Sequence, residues 1–144
     1  MLLQLQEKFP QRVKIWLDFD PPLGQQIYAG CDAFLMPSRY EPCGLGQLIA
    51  LRYGAAPVVR RTGGLADTVV EFDPARKTGT GFVFDPFTPE ALLAAVRRAA
   101  SIHRQPLVWK ALVKNAMTQD FSWDASAREY ATLYRKALKA RSGR

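Results

Sequence analysis

The chain has 144 residues, 48% hydrophobic and 11% aromatic, which suits a single packed domain and argues against disorder. Its formal charge is +7, from 20 Lys and Arg against 13 Asp and Glu. Outside Arg60-Arg61, Arg97-Arg98 and the stretch from Arg135 to Arg144, these cations are dispersed and no nucleic-acid motif accompanies them. They read as a solvated surface with a basic tail rather than a nucleic-acid face. Cys31 and Cys43 cannot build a disulfide framework and read as reduced thiols of an intracellular protein. No apolar run approaches membrane-spanning length, and the opening Met1-Leu-Leu-Gln-Leu5 reads as neither a secretory signal nor a transit peptide.

Residues 2–9 read as the end of an amphipathic helix stopped by Pro10. Arg12-Val-Lys-Ile-Trp-Leu17 alternates as a strand does, and Asp18-Phe-Asp-Pro-Pro22 follows as a loop. Pro21 or Pro22 then starts a helix that reaches Gly30. Asp32-Ala-Phe-Leu-Met36 is a short apolar run, read as a buried strand. Beyond the loop 37–43, Leu45, Leu48, Ile49 and Arg52 carry helical spacing over Gly44 to Tyr53, and Gly54 is placed to stop that helix. Ala56-Pro-Val-Val59 is expected as a third strand, Arg60 to Gly64 as its loop and Gly64 to Val70 as a short helix. Thr78-Gly-Thr-Gly-Phe-Val-Phe84 leads into a fourth strand. Thr88 caps a helix over Glu90 to Ala100 with Pro89 in its first turn, and Leu107 to Ala116 reads as another. Ser122 caps a last helix, Trp123 to Leu138, on which Tyr130, Leu133, Tyr134, Ala137 and Leu138 form one apolar stripe. Strands alternating with helices predict a parallel α/β sheet flanked by helices, with ligands at the carboxyl ends of the strands. The loops 18–22, 37–44 and 60–64 are then the functional candidates.

The loop 37–44 offers a specific chemistry. It runs straight into a helix whose first N–H groups have no intrahelical partner and carry partial positive charge, which suits phosphate. Gly44 and Gly46 remove side chains that would hold a ligand off that backbone. Glu41 would stand beside the anion, where a sugar attached to a phosphate would lie.

Glu41-Pro-Cys-Gly-Leu45, followed by Leu51-Arg-Tyr-Gly-Ala-Ala-Pro-Val-Val-Arg-Arg-Thr-Gly-Gly-Leu-Ala-Asp-Thr-Val69, closely resembles bacterial glycogen synthase and plant starch synthase. The resemblance runs from roughly residue 10 to residue 140 but covers only the last part of such an enzyme. It implies the later part of the C-terminal, Rossmann-like domain of a two-domain GT-B glycosyltransferase. Residues 1–120 would belong to a partial nucleotide-sugar-binding domain, and residues 121–144 to a C-terminal helix that packs back on the missing N-terminal domain. The implied reaction transfers glucose from ADP-glucose to an α-1,4-glucan with retention. The implied location is the bacterial cytoplasm, or the plastid for a plant or algal source.

By that resemblance Glu41 is the catalytic candidate, placed by the donor sugar to offset oxocarbenium charge. Many relatives carry a second glutamate where this chain has Ile49, so Glu41 has no local carboxylate partner. Cys43 reads either as a small core residue or, from the resemblance, as lying with Gly44 against the donor glucose. The backbone of Leu45 and Gly46 would lie near the diphosphate, Gly46 standing where the family often has threonine. Phe19 either packs or stacks on adenine. Thr62, Gly63 and Gly64 make a turn that the resemblance puts near the transferred glucose. Arg60 and Arg61 could neutralise phosphate or pair with acids such as Asp67, the structural role being favoured. Gln47 reads as a helix-face residue, and His103 is given no chemistry. No metal and no cofactor is expected, since no His, Cys, Asp and Glu grouping has ligand spacing. The family's lysine-glycine-glycine loop, its histidine-bearing loop and its diphosphate-gripping arginine and lysine pair have no match here. Two readings stay open: a synthase fragment inactive by itself, or a non-catalytic nucleotide-sugar-binding or interaction module derived from one.

Overall fold

Three short parallel strands lie at the centre of the computed structural model, which describes residues 2–142. Met1, Gly143 and Arg144, the last from the basic tail, lie outside the described residues. The elements in order are α1 (Leu2–Lys8), α2 (Pro21–Gly30), β1 (Ala33–Met36), α3 (Gly46–Tyr53), β2 (Ala56–Arg60) and α4 (Gly63–Thr68). They continue with β3 (Phe82–Phe84), α5 (Pro89–His103), α6 (Pro106–Met117) and α7 (Trp123–Ser142).

The sheet order is β1-β2-β3, with Ala33 opposite Ala56 and Val58 opposite Phe82. A middle strand of a parallel sheet is covered on both faces, and residues 56–59 of β2 are buried without a break. On one face Ala56, Val58, Phe82 and Phe84 pack with Ala95, Ala99 and Ile102 of α5 and Leu112 of α6. On the other, Val59 and Val83 meet Leu65 of α4 and Val69. These two half-cores hold the strand ends, and therefore the loops, in fixed relation.

Caps fall where the sequence puts them. The Thr88 hydroxyl accepts the Ala91 N–H at 3.2 Å and the Ser122 hydroxyl accepts the Ala125 N–H at 3.2 Å. The Asp20 carboxylate accepts the Leu23 N–H at 2.9 Å, closing the start of α2. Gly54 ends α3 with φ 82°, in the left-handed region.

The expected strand at residues 12–17 does not form. The segment is irregular, bonded back toward α1 through Val13 N–H to the Phe9 carbonyl at 2.9 Å, and Trp16 and Leu17 are exposed. A strand is made by its neighbour, and among the described residues no strand pairs with this segment. The loop 18–22 therefore follows no strand. Boundaries also shift: α3 begins at Gly46 rather than Gly44, α4 spans Gly63–Thr68 rather than Gly64 to Val70, α5 runs on to His103 and α7 to Ser142. No residue of α7 is buried, and its stripe of Tyr130, Leu133, Tyr134 and Leu138 faces solvent. Among the described residues no helix is long and apolar enough to cross a membrane.

Candidate functional site

Parallel strands send their following loops out at their carboxyl ends, and here the loops after β1, β2 and β3 meet there. The loop after β1 carries Glu41 and runs into α3. Its first intrahelical bond is Ile49 N–H to the Leu45 carbonyl at 3.0 Å, so the N–H groups of Gly46, Gln47 and Leu48 precede the helical ladder. Leu45 occupies the N-cap with no side-chain cap, and its side chain is exposed. Cys43 is exposed, while Glu41 is half-buried, its carboxylate accepting from the Ser38 hydroxyl at 3.4 Å.

The loop after β2 holds this one by close backbone approach. Gly64 N–H donates to the Glu41 carbonyl at 3.0 Å. A side chain at Gly63 would run into that same carbonyl, and one at Gly64 into the carbonyl of Cys43. Gly63 also has φ 45°, a conformation that side chains disfavour. Thr62 is the N-cap of α4 and makes no side-chain cap bond. The glycine pair thus has a packing role, beyond any contact with sugar.

Gln47, read as a helix-face residue rather than a ligand, lies on the inner face of α3 and is fully buried. Its amide nitrogen donates to the carbonyls of Cys43 at 3.2 Å and Gly44 at 3.1 Å, and to the Thr68 hydroxyl at 3.2 Å. Thr68 in turn donates to the Gly64 carbonyl at 2.6 Å. One side chain therefore ties the turn before α3 to α4. A Cβ on Gly44 would lie 2.5 Å from Gln47 Oε1, and one on Gly46 would lie 3.2 Å from the Phe34 ring and the Tyr28 hydroxyl. Both glycines make room for protein as well as for a ligand. The sequence signal that could have found Gln47 is a polar residue between Leu45 and Leu48 on an otherwise apolar helix start.

The arginine pair separates. Arg61 pairs with Asp85 at 2.9 Å and not with Asp67. Arg60 turns toward the loop after β1, donating through Nε to the Ser38 carbonyl at 2.9 Å and through Nη2 to the carbonyl of Arg39. The two cysteines also differ. Cys31 is half-buried, and burial pushes its thiol up; a local backbone hydrogen bond opposes the shift, and the charge of Asp32 adds to it.

Residues 6–115 match the family model for glycosyl transferases group 1. The chain belongs to that family. This glycosyl transferase chain is 57% identical over 137 residues to the glycogen synthase of Fervidobacterium nodosum, a match covering 95% of the chain and 28% of the relative. It is 54% identical over 142 residues to the glycogen synthase of Thermotoga maritima, covering 98% of the chain and 29% of the relative. Among solved structures it resembles the catalytic domain of starch synthase IV from Arabidopsis thaliana, bound to ADP and acarbose. The TM-score is 0.81 at 36% identity, over 95% of this chain and 29% of that one. The chain thus spans under a third of the length of these relatives. Its parallel sheet flanked by helices is the fold of a GT-B glycosyl transferase C-terminal domain.

Of the expected site residues of this glycosyl transferase, Glu41, Cys43, Gly44, Leu45 and Gly46 lie on one loop and helix start, with Gly63 and Gly64 directly against it. Phe19 stands apart in its contacts. The residue is 90% exposed, and its N–H donates to Asp18 Oδ1 at 2.8 Å.

Proposed function

We propose that this chain is the donor-side part of an ADP-glucose-dependent α-1,4-glucan synthase. The observation that carries the reading is the half-buried Glu41, held immediately before an uncapped helix start by the backbone of a second loop. The N–H groups of Gly46, Gln47 and Leu48 offer donors to a diphosphate. Glu41 is then the group that opposes positive charge on the departing glucose. Cys43, Gly44 and Leu45 line the path between the two, Thr62 with Gly63 and Gly64 flanks it, and Phe19 offers a free aromatic face to a base.

The names of the relatives and the ADP held by the similar starch synthase support this choice of donor. The glucan is the matching acceptor, and the bacterial relatives favour the cytoplasm. Residues 1–120 are proposed to complete their domain, and residues 121–144 to pack on another one, within a longer enzyme. In the strand order common to doubly wound folds, the third and fourth strands are separated by the first two. Residues 12–17 would find their neighbours there.

Titration of the 144-residue chain with ADP, followed by amide NMR, tests the reading. Weak binding that shifts Gly44 to Leu48 is expected, stronger for ADP than for inorganic pyrophosphate. ADP that leaves those amides unmoved would sink it. Glucose transfer from radiolabelled ADP-glucose to glycogen by this chain alone is expected to be undetectable, because transfer depends on positioning from both sides of a cleft.

A further inference from the structure

We propose that Arg60 is a positioning residue for Glu41, acting as a clamp that fixes the loop after β1 from the end of β2. The inference rests on the reading of Glu41 above. Arg60 is the last residue of β2, and its guanidinium reaches sideways to two consecutive carbonyls, those of Ser38 and Arg39. The same guanidinium lies over the Phe87 ring, 5.6 Å from its centroid, in the segment after β3. The end of β2 is thereby joined to the loops after both neighbouring strands through one planar cation.

The connection to Glu41 is short. Ser38, whose carbonyl Arg60 holds, gives its hydroxyl to Glu41 Oε2 at 3.4 Å. Gly64 fixes the other end of the loop through the Glu41 carbonyl. The carboxylate therefore hangs between two fastened points, one made by Arg60 and one by Gly64. With Nε and Nη2 directed at backbone carbonyls, Arg60 is engaged with the loop rather than turned out toward a phosphate. Lysine cannot replace it. An ammonium on a flexible stem lacks the fork that bridges two carbonyls and the flat face that rests on Phe87.

The consequence is kinetic. A carboxylate displaced by a fraction of an ångström still permits donor binding but meets the developing charge badly. In the full-length transferase carrying this segment, Arg60→Lys is expected to lower kcat about ten- to a hundredfold with little change in the donor KM. Ser38→Ala should give a smaller loss of the same kind, and the double variant less than the product of the two. In the 144-residue chain, Arg60→Lys should lower the backbone NMR order parameters of Ser38 to Glu41, whose carbonyls at 38 and 39 lose their donor, while leaving those of Val58 and Val59 unchanged.

Glu41→Gln is measured in parallel. If Glu41→Gln loses turnover while Arg60→Lys and Ser38→Ala keep it, the clamp is refuted and the reading of Glu41 survives. If Glu41→Gln keeps full turnover, that reading falls and takes the proposal with it. Unchanged order parameters at Ser38 to Glu41 in Arg60→Lys would overturn the clamp by itself. Should Arg60→Lys fold poorly, Phe87→Ala, which removes only the surface under the guanidinium, must show the same local fall in order parameters.

Discussion

Glu41 illustrates what a single residue can contribute when its surroundings do the placing. Its side chain is half-buried on a loop, so replacing it opens no core cavity. The charge it is proposed to oppose grows only as the bond to phosphate breaks, so its loss should appear in turnover rather than in donor affinity. In the full-length enzyme Glu41→Gln is expected to cut kcat by roughly a hundred- to a thousandfold, as loss of one electrostatic contact to a transition state commonly does. A thermal melt of the same variant should match the parent, and a large drop would make the role structural. Glu41, Gly44 and Gly46 were legible in the sequence because spacing puts them at a helix start, whereas Cys43 and the pair Gly63 and Gly64 were singled out only through the family resemblance. Gln47 and Arg60 were legible by neither route. Their roles depend on a fold that brings α4 to the turn before α3 and β2 beside the loop after β1; a polar residue on an apolar helix start could flag Gln47 as unusual, but not what it binds.

At the scale of elements, glycine separates positions with space from positions without it. Gly64→Ala would drive a methyl into the Cys43 carbonyl, so it should cost about 1–3 kcal/mol, the usual range for overpacking. Gly24→Ala meets nothing within 4 Å inside α2 and should gain up to about 1 kcal/mol from helix propensity. Denaturant unfolding of both variants decides the matter; equal midpoints would mean that the two loops do not press on each other as described. Helices were the most legible elements, because caps such as Thr88 and Ser122 act within three residues of themselves. Residues 12–17 misled for the opposite reason. Alternation of Val13, Ile15 and Leu17 records which side chains share a face, whereas a strand needs a partner that alternation cannot report.

For the molecule as a whole, the core lies between β2 and its flanking helices, and α7 adds no buried residue to it. Ending the chain at Ser122 should therefore leave the melting midpoint unchanged and reduce light scattering, since the exposed Trp123, Tyr130 and Leu133 go with the helix. A midpoint that falls by several degrees would show that α7 supports the sheet after all. The parallel pairing has one more consequence, which concerns time. Ala33 meets Ala56 and Val58 meets Phe82, so each strand pair forms only when a helical crossover closes on itself. Both fastenings of the Glu41 loop, by Arg60 and by Gly64, come from beyond the first crossover. The turn proposed to take the anion is then not expected to mature as a local hairpin would. It should form late in folding, and in a refolding time course, capture of ADP should lag behind the recovery of helix.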